Sequence, residues 1–200
     1  MQKYAGESRY ETAGDLAEAS HPFGAETVYV ASGNSIPDVL ALGPLAAVND
    51  DAVLLVKPTG IPSSVQRRLA ELDPQRVVVV GGTSAVSPGV QRWLGDQGYD
   101  VSRISGETRY ETARALTGEF DQVSTLYLAS GQEPADALAG GAAAAANNDA
   151  VLLVNGATDL DVETTTEIAR LSPERIVFGR INAHHRCLPR PGSLGHARHG

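Results

Sequence analysis

The side chains of this sequence that are equipped for chemistry are few, and most of them occur twice. Ser32-Gly33 is followed by Asp38, and further on Ser130-Gly131 is followed by Asp136. A serine nucleophile needs an adjacent base and an acid that orients the base. The only histidine before His184 is His21, which has no counterpart beside Ser130, so a Ser-His site shared by both places is excluded. Glycoside chemistry needs two carboxyl groups about 5–9.5 Å apart, and each place supplies one. The simpler role for Asp38 and Asp136 is to satisfy free N–H groups at a helix start, where an anion contributes about 0.3–1 kcal/mol. Arg9 and Arg109 are a second recurring pair, with the planar fork that matches carboxylate or phosphate; the alternative for each is a local ion pair with Asp or Glu. His184, His185 and Cys187 are zinc-ligand types, but they form one crowded cluster rather than two spaced pairs in a framework, and no metal is expected. Neither G-x-G-x-x-G nor G-x-x-x-x-G-K-[ST] occurs, which leaves dinucleotides and triphosphates without a backbone cradle. No cofactor is expected.

These residues belong to two copies of one pattern. Gly6-Glu7-Ser8-Arg9-Tyr10-Glu11-Thr12-Ala13 returns as Gly106-Glu107-Thr108-Arg109-Tyr110-Glu111-Thr112-Ala113, with seven of eight residues identical. Val28-Tyr29-Val30-Ala31-Ser32-Gly33 returns as Leu126-Tyr127-Leu128-Ala129-Ser130-Gly131, and Ala52-Val53-Leu54-Leu55-Val56 as Ala150-Val151-Leu152-Leu153-Val154. Leu72-Asp73-Pro74-Gln75-Arg76-Val77 returns as Leu171-Ser172-Pro173-Glu174-Arg175-Ile176. Four blocks in the same order are the signature of a repeated structural unit.

Each copy alternates strand and helix patterns, which predicts an α/β fold with mostly parallel sheets covered by helices. Ser8 and Thr108 lie three residues before Glu11 and Glu111, a capping-box spacing that starts a helix with Ala13, Leu16 and Ala17 on one face. A strand near 27–31, a helix from about Pro37, a strand at 52–56, a helix near 63–72 and a strand at 77–80 follow. Pro88 opens a helix carrying Val90, Trp93 and Leu94, and 99–104 reads as a strand leading into the second copy. Parallel α/β sheets bind ligands at the carboxyl ends of their strands. That rule singles out Ser32, Gly33, Asp38, Gly81, Gly82, Ser130, Gly131 and Asp136. Gly81-Gly82 suits a tight turn, and Leu54-Leu55 and Leu152-Leu153 suit a core.

At 200 residues and 42% hydrophobic the chain can bury a core. No apolar run approaches the roughly 18 residues of a membrane span, and the first residues have no signal-peptide pattern. All 24 acidic residues lie at or before Glu174, and Lys3 and Lys57 are the only lysines. So acidic a body repels polyphosphate at long range, and nucleic acid is not an expected partner. The second copy follows the first through Arg175-Ile176-Val177 and then diverges. From Asn182 the chain is rich in His, Arg, Pro and Gly without an acidic residue, as a shifted reading frame in a GC-rich gene would produce. The expected division is a first repeat over 1–105, a partial second over 106–179, and an atypical, disordered tail over 180–200.

The ordered blocks R-Y-E-T-A, A-S-G, P-D-x-L-A, A-x-L-L and V-V-V-V-G-G-T resemble the type 2 cell wall-binding repeat of Gram-positive surface proteins, over about residues 6–179. The resemblance implies Rossmann-like or flavodoxin-like units in tandem, the second incomplete, that pack in threes around a pseudo-threefold axis. It implies a noncatalytic module that anchors an extracellular, cell wall-associated protein through an anionic cell-wall polymer. The family's Ile-Leu-Leu attachment motif maps onto Val53-Leu54-Leu55 and Val151-Leu152-Leu153, with valine for isoleucine in both. Its aspartate after the A-S-G strand maps onto Asp38 and Asp136. The candidate polymer-binding residues are therefore Arg9, Ser32, Gly33, Asp38, Leu54, Leu55, Gly81 and Gly82, with Arg109, Ser130, Gly131, Asp136, Leu152 and Leu153. Linked weak contacts gain by effective concentration, and an incomplete second sheet exposes an apolar edge that invites homo-oligomers or packing with further repeats. The rival readings are a structural array without polymer affinity and a hydrolase using the strand-end aspartates.

Overall fold

The computed structural model describes residues 4–156 and 160–179. The segment 180–200, with its zinc-ligand types, lies outside the described residues. The first unit comprises α1 (Arg9–Ser20), β1 (Thr27–Ser32), α2 (Ile36–Asn49), β2 (Ala52–Val56), α3 (Ser63–Leu72), β3 (Arg76–Val80), α4 (Pro88–Asp96) and β4 (Asp100–Ile104). The second comprises α5 (Arg109–Thr117), β5 (Thr125–Ser130), α6 (Pro134–Asn147), β6 (Ala150–Val154), α7 (Val162–Leu171) and β7 (Arg175–Phe178).

The recurring octapeptide builds the entry to α1 and α5. The Ser8 hydroxyl accepts the Glu11 N–H at 3.3 Å, while the Glu11 carboxylate reaches back to the Glu7 N–H at 2.7 Å. The Thr12 hydroxyl accepts the Gly6 N–H at 3.1 Å, and Thr108, Glu111 and Thr112 repeat all three bonds. The expected capping box is present, displaced by one residue, because the carboxylate serves the residue before the N-cap. Any side chain at Gly6 or Gly106 would collide with Glu11 or Glu111.

Both sheets are parallel, in the orders β2-β1-β3-β4 and β6-β5-β7. Among the described residues the second unit lacks counterparts of α4 and β4, and β7 forms an edge whose Ile176, Val177 and Phe178 are half-buried. On one face of the first sheet, Val28, Val30 and Leu54 pack in one cluster with Ala17 of α1, Leu69 of α3 and Leu94 of α4. On the other face, Tyr29, Val78, Val80, Leu42 and Leu45 join Leu116, Phe120 and Leu153 of the second unit in one continuous core.

Helix α2 is the shared element, since it contacts its own sheet and also α5, β6 and α6. Pro44, inside α2, has no N–H for the Leu40 carbonyl. That carbonyl is the atom α6 approaches most closely at Gly141, where a Cβ would lie 3.0 Å from it. Ala137 and Ala144 complete the buried stripe of α6.

The docking of α2 makes equivalent positions unequal. Leu116 on α5 is 1% exposed, whereas Leu16 on α1 is 51% exposed. The predicted Ala13–Leu16–Ala17 face is corrected accordingly: α1 buries Gly14 and Ala17. Val151 and Leu153 are buried, but Val53 and Leu55, which pack against the edge of the shared core, are only half-buried, because α2 lies more fully over β6 than over β2. Urea denaturation should therefore show Leu116→Ala losing about 2–5 kcal/mol of stability, with Leu16→Ala within about 0.5 kcal/mol of the unaltered chain.

Candidate functional site

Strands β1 and β3 are neighbours whose following connections run to opposite sides of the sheet, so the crevice beyond their carboxyl ends is the topological switch point. Ser32, Gly33 and Asp38 line up there with Gly81 and Gly82. Ser32 is 1% exposed and its hydroxyl accepts the Asn34 N–H at 3.3 Å. Ser130 repeats this with Gln132 at 3.2 Å. Gly81 has φ +101°, a left-handed conformation that favours glycine, in keeping with the expected turn. A Cβ there would also sit 3.1 Å from the Asp38 carboxylate.

Asp38 stands in the first turn of α2, 6% exposed, and accepts the Ser35 hydroxyl at 2.6 Å. The expected bond to a free helix N–H is replaced by this one. Asp136 occupies the same turn of α6, and a Cβ at Gly179 would lie 3.4 Å from it. Where α2 carries Leu42 and Leu45, α6 carries Gly140 and Ala143. A cavity of about 280 Å³ opens in the second unit, lined by Tyr127, Ala139, Gly140, Phe178, Gly179 and Asp136 among others.

Among the described residues Arg9 and Arg109 form no ion pair with an Asp or Glu, the local alternative weighed from sequence. Each donates one guanidinium N–H to a backbone carbonyl, Arg9 to Gly33 at 2.6 Å and Arg109 to Gly131 at 2.7 Å. Both side chains belong to exposed residues at the carboxyl end of their sheet. The neighbouring tyrosines explain the glycines: a Cβ at Gly33 would come within 2.7 Å of the Tyr10 ring, and one at Gly131 within 2.6 Å of Tyr110. The R-Y and A-S-G blocks are thus two halves of one clasp.

Of the attachment-motif leucines, Leu54, Leu152 and Leu153 are wholly buried and Leu55 is half-buried. Any part the buried three take in attachment acts through the strands they anchor. Sequence reasoning missed Tyr10, Tyr110 and Arg103. The tyrosines were visible in the recurring octapeptide, but their contact was not. Arg103 donates to the Gly81 carbonyl at 2.6 Å, the Val86 carbonyl at 3.0 Å and Gln91 at 3.0 Å, holding the Gly81-Gly82 turn. Burial lowers its pKa from the ordinary arginine value. Among the described residues no group of three His, Cys, Asp or Glu gathers into a metal site, and no helix is long and apolar enough to cross a membrane.

Two parallel α/β units that share a core and repeat one strand-end clasp define a tandem-repeat module. The chain belongs to the family described as cell wall binding domain 2, which it matches over residues 3–91 and 103–184. It is 29% identical over 84% of its length to N-acetylmuramoyl-L-alanine amidase LytC of Bacillus subtilis, and 31% identical over 76% to the amidase enhancer of the same organism. It is similar to the structure of Cwp6 from Clostridium difficile, with a TM-score of 0.83 and 26% identity over 88% of this chain. The chain spans 34%, 21% and 28% of those three proteins respectively.

The clasp predicts coupling between its two blocks. Gly33→Ala should lower stability by about 1–3 kcal/mol through overpacking. In the presence of Tyr10→Ala the same substitution should lose about 1 kcal/mol less, as a double-mutant cycle of urea melts would show.

Proposed function

We propose that this chain is a noncatalytic module that anchors a protein outside the cell by gripping an anionic polymer of the bacterial wall. Membership of a cell wall binding family across both units carries the reading. The polymer is argued from position. Arg9 and Arg109 stand exposed beside equivalent strand ends, each tethered through one nitrogen to a glycine carbonyl. A guanidinium held in that way presents its remaining donors with less orientational freedom to lose. Lys57, directly after β2, adds a cation at the same end of the first sheet. Two such ends on one rigid core engage one chain molecule at high effective concentration, so weak single contacts suffice.

Further repeats are the natural cover for the surfaces left bare. The half-buried Val53 and Leu55 and the exposed Leu16 match positions that α2 covers on the second unit. Leu138 on α6, 60% exposed, faces outward from the helix that corresponds to α2.

Co-sedimentation of the purified chain with Gram-positive walls tests the proposal. Binding should be strong to intact walls, fall on walls stripped of anionic polymer by mild acid, and weaken with salt. Arg9→Gln with Arg109→Gln should reduce binding about 10-fold or more, if each lost charge-assisted bond is worth roughly 1 kcal/mol. Equal binding to stripped walls would sink the anionic-polymer reading and leave wall binding by another component.

A further inference from the structure

Two tandem units this alike face a pairing problem. As the chain folds, α1 must pack on α3 and α5 on α7, although the apolar positions Val65, Leu69 and Leu72 of α3 match Thr164, Ile168 and Leu171 of α7. Repeats with similar apolar faces are prone to inter-unit misassembly.

The charges that seal the two pairs are inverted. In the first unit the central group is a cation. Arg68 on α3 is only 13% exposed at its side chain, and reaches Glu18 at 2.6 Å and Asp15 at 3.4 Å on α1, and Glu71 at 2.7 Å on its own helix. It lies over Gly14, whose missing Cβ would be 3.4 Å from the Arg68 Cγ. In the second unit the central group is an anion. Glu167 occupies the position of Arg68 and is likewise 13% exposed. It accepts from Arg170, at the position of Glu71, at 2.8 Å, and from Thr117 on α5 at 2.7 Å. Arg114 stands at the position of Gly14, 3.6 Å from Asp161. Burial alone would raise the Glu167 pKa, but the hydrogen bonds of Arg170 and Thr117 and the charges of Arg170 and Arg114 bring it below the usual carboxylate range.

We infer that this inversion assigns each helix to its own unit. Packing α1 on α7 would set Asp15 and Glu18 against Glu167, three carboxylates around one cation, Arg170, that Glu167 already engages. Packing α5 on α3 would drive Arg114 into the space that Gly14 leaves for Arg68. Both errors bring like charges together at sheltered positions, where solvent screens them less than at an open surface. An unpaired charge at such a place is strongly disfavoured, so both exchanges are opposed while both correct pairings are matched. The inference is independent of what the module binds.

The test makes the units equal. A chain carrying G14R, D15A, A17T, E18A, P62D, R68E and E71R has the second unit's polarity in both, because A17T and P62D supply the counterparts of Thr117 and Asp161; each pair stays matched and the opposition to exchange is removed. Diluted from urea beside the unaltered chain, it should return about 3-fold less native monomer, with the rest in swapped dimers and aggregates on size-exclusion chromatography. The melting temperature of its native fraction should stay within about 5 °C. Glu71→Gln weakens the first network but leaves Arg68, Asp15 and Glu18 in place, and should lower the melting temperature while refolding in unaltered yield. Equal yields from the equalised and unaltered chains would overturn the inference. So would an equally large yield loss from Glu71→Gln, which would make stability the whole cause. Failure of the equalised chain to fold even on slow dialysis would overturn it too, because polarity would then not be interchangeable within a unit.

Discussion

The double burial of α2 is the constraint on which the rest of this structure depends. A helix on a sheet ordinarily keeps one face in water, but α2 is covered by its own sheet through Leu42 and Leu45 and by the second unit across Ala41 and the Leu40 backbone. Polar side chains are therefore scarce along it, and its buried Asp38 sits in the first turn with a hydroxyl partner. Close approach requires the partner helix to be thin, which accounts for the run of alanine and glycine in α6. The two units are consequently not beads on a string, because removing either would strip apolar surface from the other.

The recurring octapeptide shows why an insistent motif need not mark a reactive site. Its polar members hold local geometry, since Ser8 and Glu11 cap, Thr12 ties down Gly6, and Arg9 and Tyr10 enclose Gly33. The geometry they hold is that at the mouth of a crevice. Under the proposed function, a ligand there would meet a frame with little freedom to rearrange, which lowers the entropy lost on binding.

Much of the fold was legible in the sequence because it rests on local rules. Capping spacing, strand-length apolar runs and proline at helix starts placed most elements within a residue or two, and the repeat fixed their order. The switch-point cluster followed from the parallel order alone. What the sequence concealed was everything decided by neighbours. Leu16 and Leu116 follow the same R-Y-E-T-A block at the same spacing, and the docking of α2 separates an exposed leucine from a buried one. The partners of Arg9 and Arg109 are backbone carbonyls, which carry no signature among side-chain types. Arg103 escaped notice for the same reason, since two of its three acceptors are main-chain atoms. The attachment-motif leucines were readable as core, but not the contrast between half-buried Leu55 and buried Leu153.

The strand pairing also sets a timetable. β1 lies at the centre of its sheet, yet Val28 pairs with Ala52 on one side and Thr27 with Arg76 on the other. No hairpin is available to start the sheet, so each closure waits for a helix and a strand to emerge behind it. A growing chain cannot complete the first sheet until β4 has appeared, and α2 then still waits for β6 to cover its outer side. Such a chain matures in long strides rather than residue by residue, each stride closing one helix and one strand onto what has already folded.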